Sequence, residues 1–408
     1  MVRHAEIAGG GIAGLSAAIV LARLGWSVRV HERSPEIRES GAGIFLRKNS
    51  IDVLEKIGAF ADLAPQGVKI LKARIADREG RVRQEFDVTP SRLHCVPRQA
   101  LVDVLAQTAR SAGAQIEFSS TAIAAEEAGV LVLGDGQRLR ADLIIVADGF
   151  RSPVRQSLVP EARYWELKTA VNRHFIPTRE IATEPVTSQH WSGNRRIGIT
   201  PTSETHTYVY TVCRDTDTAG RALPLDVDNW TKAFPSLRHK LEVISAAPVT
   251  QYSYHLVRCP RWHRGRVAII GDAAHGLPPT LGQGAGLTLM NAYALTLALD
   301  CNRAVEETLP VWESAVRFVT DRTQWWALRY DSLTRQWPEA LSLLRTAIIW
   351  AFRLPALNRR MRIADQGLDL AALQSLNASP TRAGRQAAAR MSTRGAGFSS
   401  TQARDNTG

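Results

Sequence analysis

The chain has 408 residues, 45% of them hydrophobic and 22% charged, with four cysteines and a formal net charge of +12. Length alone allows about two or three domains, built on one large core or two interlocked ones. No run of about 18 apolar residues is present to span a bilayer. Cys95, Cys213, Cys259 and Cys301 show no CxxC or metal-ligand spacing, so they read as reduced core residues and no metal site is expected. The positive charge is mostly arginine scattered along the chain, with Arg382, Arg385, Arg390, Arg394 and Arg404 facing only Asp405 near the end. No nucleic-acid-binding motif accompanies them. They read as solvated surface with no nucleic-acid partner, although a positive field would help attract an anionic substrate such as an aromatic carboxylate.

Met1-Val2-Arg3-His4 leads directly into an apolar run, Ala5 to Ala8, so no signal peptide is visible and a cytoplasmic location is expected. The run reads as a buried strand, and Leu15 to Leu24 has helical periodicity closed by Gly25. Between them a GxGxxG match falls on Gly9, Gly11 and Gly14. Without a Cβ the backbone can approach a pyrophosphate, and the helix that starts there aims free N–H groups at it. A second strand, Ser27 to His31, ends at Glu32, 18 residues beyond Gly14. That is close to the roughly 20 expected of an acid that binds a ribose hydroxyl. Together these elements predict dinucleotide binding without deciding between FAD and NAD(P).

Further along, LKARIA and RVRQEF flank an Asp77–Gly80 turn and read as a hairpin. The strand Leu143 to Val146 runs into Asp148-Gly149, followed by Arg151, Ser152 and Arg155. Lys168 to Phe175, Val186 to Trp191, Arg196 to Thr200 and His206 to Cys213 read as successive antiparallel strands forming a candidate substrate sheet. Alternation puts His206, Tyr208 and Tyr210 on one face of it, where one of them would hydrogen-bond or deprotonate a substrate or simply pack.

The second glycine segment settles the cofactor. Val267 to Ile270 reads as a strand, followed by Gly271-Asp272, a Pro-rich loop, and Gly282, Gly284 and Gly286 entering a long apolar helix. A nicotinamide dehydrogenase has no evident need for this second carboxylate and helix N-terminus. A flavin enzyme does: Asp272 suits the ribityl hydroxyls, and the amides around Gly284, Ala285 and Gly286 with the helix dipole would stabilise the reduced, anionic isoalloxazine edge. His275, just after Asp272, suits a loop-fixing role. Glu306 to Tyr330 and Pro338 to Phe352 read as helices carrying five tryptophans, and from about Ser375 the chain loses all periodicity, as disorder would.

With GxGxxG, the DG pattern and the GD pattern in this order, the chain resembles the class A flavoprotein monooxygenases, the para-hydroxybenzoate hydroxylase-like family, over roughly its first 330 residues. The resemblance implies an α/β fold: a Rossmann-like FAD-binding domain with an interleaved antiparallel-sheet substrate domain and C-terminal helices. The division expected is 1–70, 93–162 and 262–301 for FAD, 71–92 and 163–261 for substrate, 302–374 helical, and 375–408 disordered. It carries over Ala13, Arg33, Gly43, Arg98 and Asp148 as cofactor contacts, beside Gly9, Gly11, Gly14, Glu32, Asp272, Gly282, Gly284, Ala285 and Gly286.

A narrower likeness, in RHAEIAGGGIAGLSAAI, HERSPEIRESGAGIFL and LMNAYAL, is to the 2-methyl-3-hydroxypyridine-5-carboxylic acid oxygenase branch. There an arginine and a tyrosine bind the substrate, and they map onto Arg196 and Tyr208. The branch's loop departs here, since Leu277, Pro278 and Pro279 follow the commoner pattern.

The implied reaction uses NADH or NADPH to reduce FAD, and O2 to form a flavin C4a-hydroperoxide that hydroxylates a small aromatic or pyridine acid. No second nucleotide fold is evident for NAD(P)H, which suits transient binding. Arg196 and Tyr208, with His206, are the expected substrate-side catalytic residues. The alternatives are a flavin-dependent epoxidase of an apolar substrate or a non-catalytic flavin-binding regulatory protein. An oligomer is compatible with all three.

Overall fold

The structure, a computed structural model, describes residues 2–38, 43–300, 303–335, 344, 348, 351 and 354–368. The helix expected at 338–352 falls almost wholly outside those residues, and the disordered tail expected at 375–408 falls wholly outside them.

His4–Ala8 is the centre of a six-stranded sheet. On one side it pairs in parallel with Ser27–His31, which pairs with Gln115–Glu117. On the other it pairs in parallel with Leu143–Val146, which pairs with Val267–Ile269, and the short strand His263–Arg264 closes that edge in antiparallel sense. Leu143 to Val146 are all fully buried, as a parallel strand covered on both faces requires. The helices Ile12–Arg23 and Gly284–Leu299 pack against each other beside this sheet. The first helix starts at Ile12, three residues before the periodicity suggests, because the chain turns helical straight after the extended Gly11.

One acid lies inside this sheet. Glu6 has no exposed surface and accepts from His31 Nε2 at 2.7 Å, His4 Nε2 at 3.0 Å and the Arg29 guanidinium. Burial by itself would raise its pKa, but hydrogen bonds from His31, Arg29 and His4 win and lower it to about 2.

The second large sheet has seven strands, in the order Val249–Tyr252, Thr169–Ile176, Thr207–Arg214, Arg195–Pro201, Val186–Ser192, Lys72–Ala76, Val82–Asp87. The expected hairpin supplies its last two strands. Ile197, Ile199, Val209 and Cys213 pack on one side against Trp230, Phe234, Leu241 and Ile244 from two short helices. Strand alternation therefore turns Arg196, Gly198, Thr200, Tyr208, Tyr210, Arg173 and Phe175 to the other side. His206 is not part of the strand, which begins at Thr207. It sits in the preceding turn, with Nδ1 2.8 Å from Thr205 Oγ1 and its ring stacked on Phe175 at 4.4 Å.

A three-stranded sheet, Gly43–Leu46, His94–Pro97 and Val68–Lys69, joins the two large sheets, its Phe45 and Val68 packing with Tyr208. The helix Val305–Arg335 runs five residues past its expected end at Tyr330. It is clasped to the parallel-sheet side through Glu313, which accepts from the Trp262 N–H at 2.9 Å and His263 Nδ1 at 2.6 Å, and through Arg317, which donates to the Cys259 and Pro260 carbonyls. Among the described residues no helix is long and apolar enough to cross a membrane.

Candidate active site

The glycine segments far apart in sequence meet in space, and each glycine has a distinct reason to be one. Gly9 has φ +104° and packs so closely that a Cβ would lie 2.4 Å from the Ala147 carbonyl oxygen, beside Asp148. Gly14 is equally tight, a Cβ there lying 2.0 Å from the Gly9 oxygen. Gly11 between them is open, with nothing within 4 Å of where a Cβ would be. Two glycines thus close the turn and one leaves its backbone face clear at a helix N-terminus, an arrangement that a phosphate group would fit. Glu32 receives the Gly10 and Ser34 N–H groups, each at 2.9 Å, and Arg33 beside it is exposed.

The second segment adjoins the first directly. Gly271, at φ +62°, faces Ala13, and a Cβ there would lie 2.7 Å from the Ala13 methyl. Asp272 is exposed at the first position of the helical turn Asp272–His275. His275 is buried, its pKa lowered to about 4 by burial, and its Nε2 takes a 3.0 Å hydrogen bond from Asn291, which also donates to Thr320 Oγ1. It is a neutral, loop-fixing residue. Beyond it Gly284 is open apart from Leu277, and Ala285 is half-buried, whereas Gly286 lies against Asn49. Gly282, at φ +62°, comes within reach of Arg47 and Phe45.

Two ionisable side chains in this region have buried polar atoms that make no hydrogen bond. Neither Asp148 carboxylate oxygen makes a hydrogen bond of good geometry, and burial raises its pKa, only partly offset by the nearby Ser152 hydroxyl and backbone N–H groups. Arg47 has Nε and Nη1 unbonded, its nearest acid being Asp365 at 3.7 Å, and burial lowers its pKa. Buried orphans of this kind are costly unless a ligand satisfies them.

The sheet face opposite carries the second half of the site. Arg196 is 5% exposed, yet its Nε and Nη2 have no hydrogen-bond partner. Tyr210 lies against Gly198, where a Cβ would fall 2.1 Å from the ring. Tyr208 lies against Gly43, a Cβ there falling 2.8 Å from the ring, and 6.4 Å from the Phe45 ring centroid. Arg173 stacks on Tyr252 at 3.8 Å and bears on Tyr208. Tyr254 and, from the helix Val305–Arg335, Tyr330 come close enough to Arg196 to feel its charge. Burial pushes the pKa of all five tyrosines up, with the arginines opposing it, so every phenol stays protonated at neutral pH. Arg98 begins the helix Arg98–Ser111 and adds positive potential at Tyr208.

The model of the family described as "FAD binding domain" matches residues 3–315. The chain belongs to this family. It is a flavoprotein monooxygenase of class A: 2-heptyl-3-hydroxy-4(1H)-quinolone synthase of Mycobacteroides abscessus is 34% identical over 332 residues, covering 79% of this chain and 88% of that one. Aurachin C monooxygenase/isomerase of Stigmatella aurantiaca is 28% identical, covering 76% and 83%. A crystal structure of 2-methyl-3-hydroxypyridine-5-carboxylic acid oxygenase superposes with a TM-score of 0.80 at 32% identity, covering 90% and 96%.

FAD fits what this flavoprotein monooxygenase presents: an open glycine at a helix N-terminus, an acid after the second strand, and the unbonded buried polar atoms of Asp148 and Arg47 among the glycine segments. Sequence reasoning missed Arg47, Asn49, Arg173, Tyr252, Tyr254 and Tyr330. Arg173 carried a usable signal, since it alternates in its strand as Arg196 does. The others had none, because only folding brings their segments to the same face. Two surface grooves lie elsewhere. One of about 390 Å³ is lined by Arg195, Arg214 and Lys232 on the opposite side of the sheet from Arg196, and the other, about 580 Å³, is lined by Glu36, Asp103 and Phe118.

Proposed function

We propose that this flavoprotein hydroxylates a small aromatic or N-heteroaromatic ring that carries an ionisable hydroxyl, oxo or carboxylate group, at the expense of NADH or NADPH and O2. The observation that carries this reading is the buried Arg196 guanidinium with two unpartnered nitrogens on a face of protonated tyrosines. A buried cation without an acceptor is expensive, and a substrate oxyanion would satisfy it. The names of the relatives point the same way, to quinolones and to a hydroxypyridine carboxylate.

In this reading residues 1–70, 93–162 and 262–301 hold FAD, and residues 71–92 and 163–261 hold the substrate. Gly9, Gly11, Ala13 and Gly14 border the pyrophosphate and Glu32 and Arg33 the adenosine ribose. Asp272 borders the ribityl chain, and Gly282, Gly284, Ala285 and Gly286 border the isoalloxazine, with Gly43, Arg98 and Asp148 completing the surround. Bound FAD, reduced by NAD(P)H, supplies the activated oxygen. Arg196 favours the ionised form of the substrate, which makes the ring electron-rich, and holds it by the oxygen it pairs with. Tyr208 and Tyr210 act as donors to the same oxygen, because burial keeps them from acting as bases at neutral pH. Phe45 and the tyrosine rings exclude water. His206, stacked on Phe175 at the sheet's rim, is a wall residue in this scheme.

The test is substrate-stimulated NAD(P)H oxidation by the FAD-loaded protein with hydroxypyridine carboxylates and 4-quinolones, followed by product mass. A gain of one oxygen atom on the ring is expected. Oxidation of NAD(P)H without oxygenated product from either class would overturn the substrate assignment, and failure to bind FAD would overturn the whole reading.

A further inference from the structure

Beyond residue 315, where the family match ends, one turn of the chain returns to the glycine segments. Ile363–Gln366 packs against the helices Lys48–Lys56 and Val305–Arg335, with Ala364 fully buried. This sets Asp365 among the residues that adjoin Gly282 to Gly286. One carboxylate oxygen, Oδ1, accepts from Gln283 Nε2 at 2.5 Å, and Gln283 Oε1 in turn accepts from Asn49 Nδ2 at 3.1 Å. Asn49 abuts Gly286, where a Cβ would lie 2.5 Å from that Nδ2. Both amide side chains are buried, so the acid is held at a fixed place. Its other oxygen, Oδ2, faces Arg47 Nη1 at 3.7 Å, an ion pair too long for a hydrogen bond. Arg47 Nε and Nη1 stay buried without a hydrogen bond, and Nε lies 3.6 Å from where a Cβ on Gly282 would be. Arg362, at the start of the turn, adds a positive charge that Arg47 feels, whereas Lys48 is paired with Asp52.

Two opposite charges fixed beside the same loop act on whatever charge develops there. Hydride transfer from NAD(P)H moves two electrons and one proton to the flavin ring and leaves NAD(P)+, so an uncharged oxidised ring becomes a reduced ring bearing one negative charge. Buried charges are weakly screened, so a neighbouring cation favours the reduced ring and a neighbouring anion the oxidised one. We propose that Arg47 and Asp365 set the reduction potential of the bound flavin as an opposed pair, Arg47 favouring the reduced ring and Asp365 holding that effect in check. The proposal rests on the reading that Gly282, Gly284, Ala285 and Gly286 border the isoalloxazine. The opposition suits the reaction. A reduced ring must be stable enough to accept a hydride from NAD(P)H, yet not so stable that it withholds electrons from O2. The turn that brings Asp365 thus tunes the cofactor from a segment outside the family match.

The experiment measures the two-electron midpoint potential of the full, FAD-loaded chain by reductive titration against a reference dye, together with its affinity for oxidised FAD. Arg47→Met is expected to disfavour the reduced ring about tenfold, a shift of about 30 mV to more negative potential. Asp365→Asn keeps an acceptor for Gln283 and should shift the potential about as far in the positive direction. The double variant, with both charges removed, should return close to the wild-type potential, and Arg47→Lys should hold it there. A purely structural role predicts instead that both single variants weaken FAD binding and move the potential the same way. That outcome overturns the proposal, as do unmoved potentials in variants that bind FAD normally. If Arg47→Met does not fold, Asp365→Asn decides alone: a positive shift supports the proposal, and no shift or a negative one overturns it. A wild-type chain that binds no FAD would overturn the flavin reading itself, a failure distinct from normal FAD binding with unmoved potentials.

Discussion

Arg196 is the residue on which the functional reading turns, and its burial without a partner makes the expected outcome quantitative. A hydrogen bond to a charged group contributes about 1.5–3 kcal/mol, so Arg196→Ala should lower kcat/KM roughly 10- to 100-fold, with most of the loss in KM and FAD absorbance unchanged. Arg196→Lys should not restore it, because an ammonium lacks the planar pair of donors. Unchanged steady-state kinetics would remove the residue from the site. Gly198 gives an independent check on the same face. A Cβ there would fall 2.1 Å from the Tyr210 ring, so Gly198→Ala should displace that ring, destabilise the protein by about 1–3 kcal/mol in denaturant titration, and weaken substrate binding. Wild-type stability in that variant would mean the ring has room to move.

At the scale of elements, the central strand depends on a charge that it buries. Glu6 is held by His31, His4 and Arg29 with its pKa lowered to about 2 from an ordinary 4.5. Since the unfolded chain takes up the proton first, the stabilisation is complete above about pH 5 and is lost as pH falls towards about 2. Glu6→Ala removes one partner of a buried ionic cluster and should cost about 3–5 kcal/mol at neutral pH. It should also flatten the acid limb of the stability curve between those pH values. An unaltered acid limb in equilibrium unfolding would show that the acid sensitivity arises elsewhere. The same strand shows what was legible in sequence. His4–Ala8, Leu143–Val146 and the hairpin strands declare themselves by apolar runs or alternation bounded by turn residues. The start of the first helix did not, because periodicity records which side chains face the core, whereas the helix begins where Gly11 releases the backbone. His206 was misplaced by one residue for a related reason: a strand pattern does not show where pairing stops, and here the Ser203 hydroxyl caps the His206 N–H in a turn.

For the whole molecule, the cofactor is expected to act as a stabiliser as well as a reagent. A ligand present at about 100 times its dissociation constant adds about 2.7 kcal/mol, so FAD should raise the thermal midpoint of the apoprotein by several degrees. Gly14→Ala, which sets a Cβ 2.0 Å from the Gly9 oxygen, should abolish that rise by distorting the cradle. A rise of wild-type size in this variant would mean that the cradle is not where FAD binds.

The sequence by itself determined the fold class, the family and the glycine-rich turn proposed to hold FAD, because each depends on local chemistry: glycines at fixed spacing within one turn, an acid at the end of the next strand, and a helix beginning where phosphates would need N–H donors. Burial and partnership are not local. Whether Arg196 has a partner, that Tyr208 rests on Gly43 and Tyr210 on Gly198, that Arg173 stacks on Tyr252, and that a helix from the far end of the chain brings Tyr330 towards Arg196 were decided by tertiary structure alone. Alternation shows which side chains share a face of one strand. Only the packing of distant segments against that face decides which charges are left without partners for a substrate to satisfy.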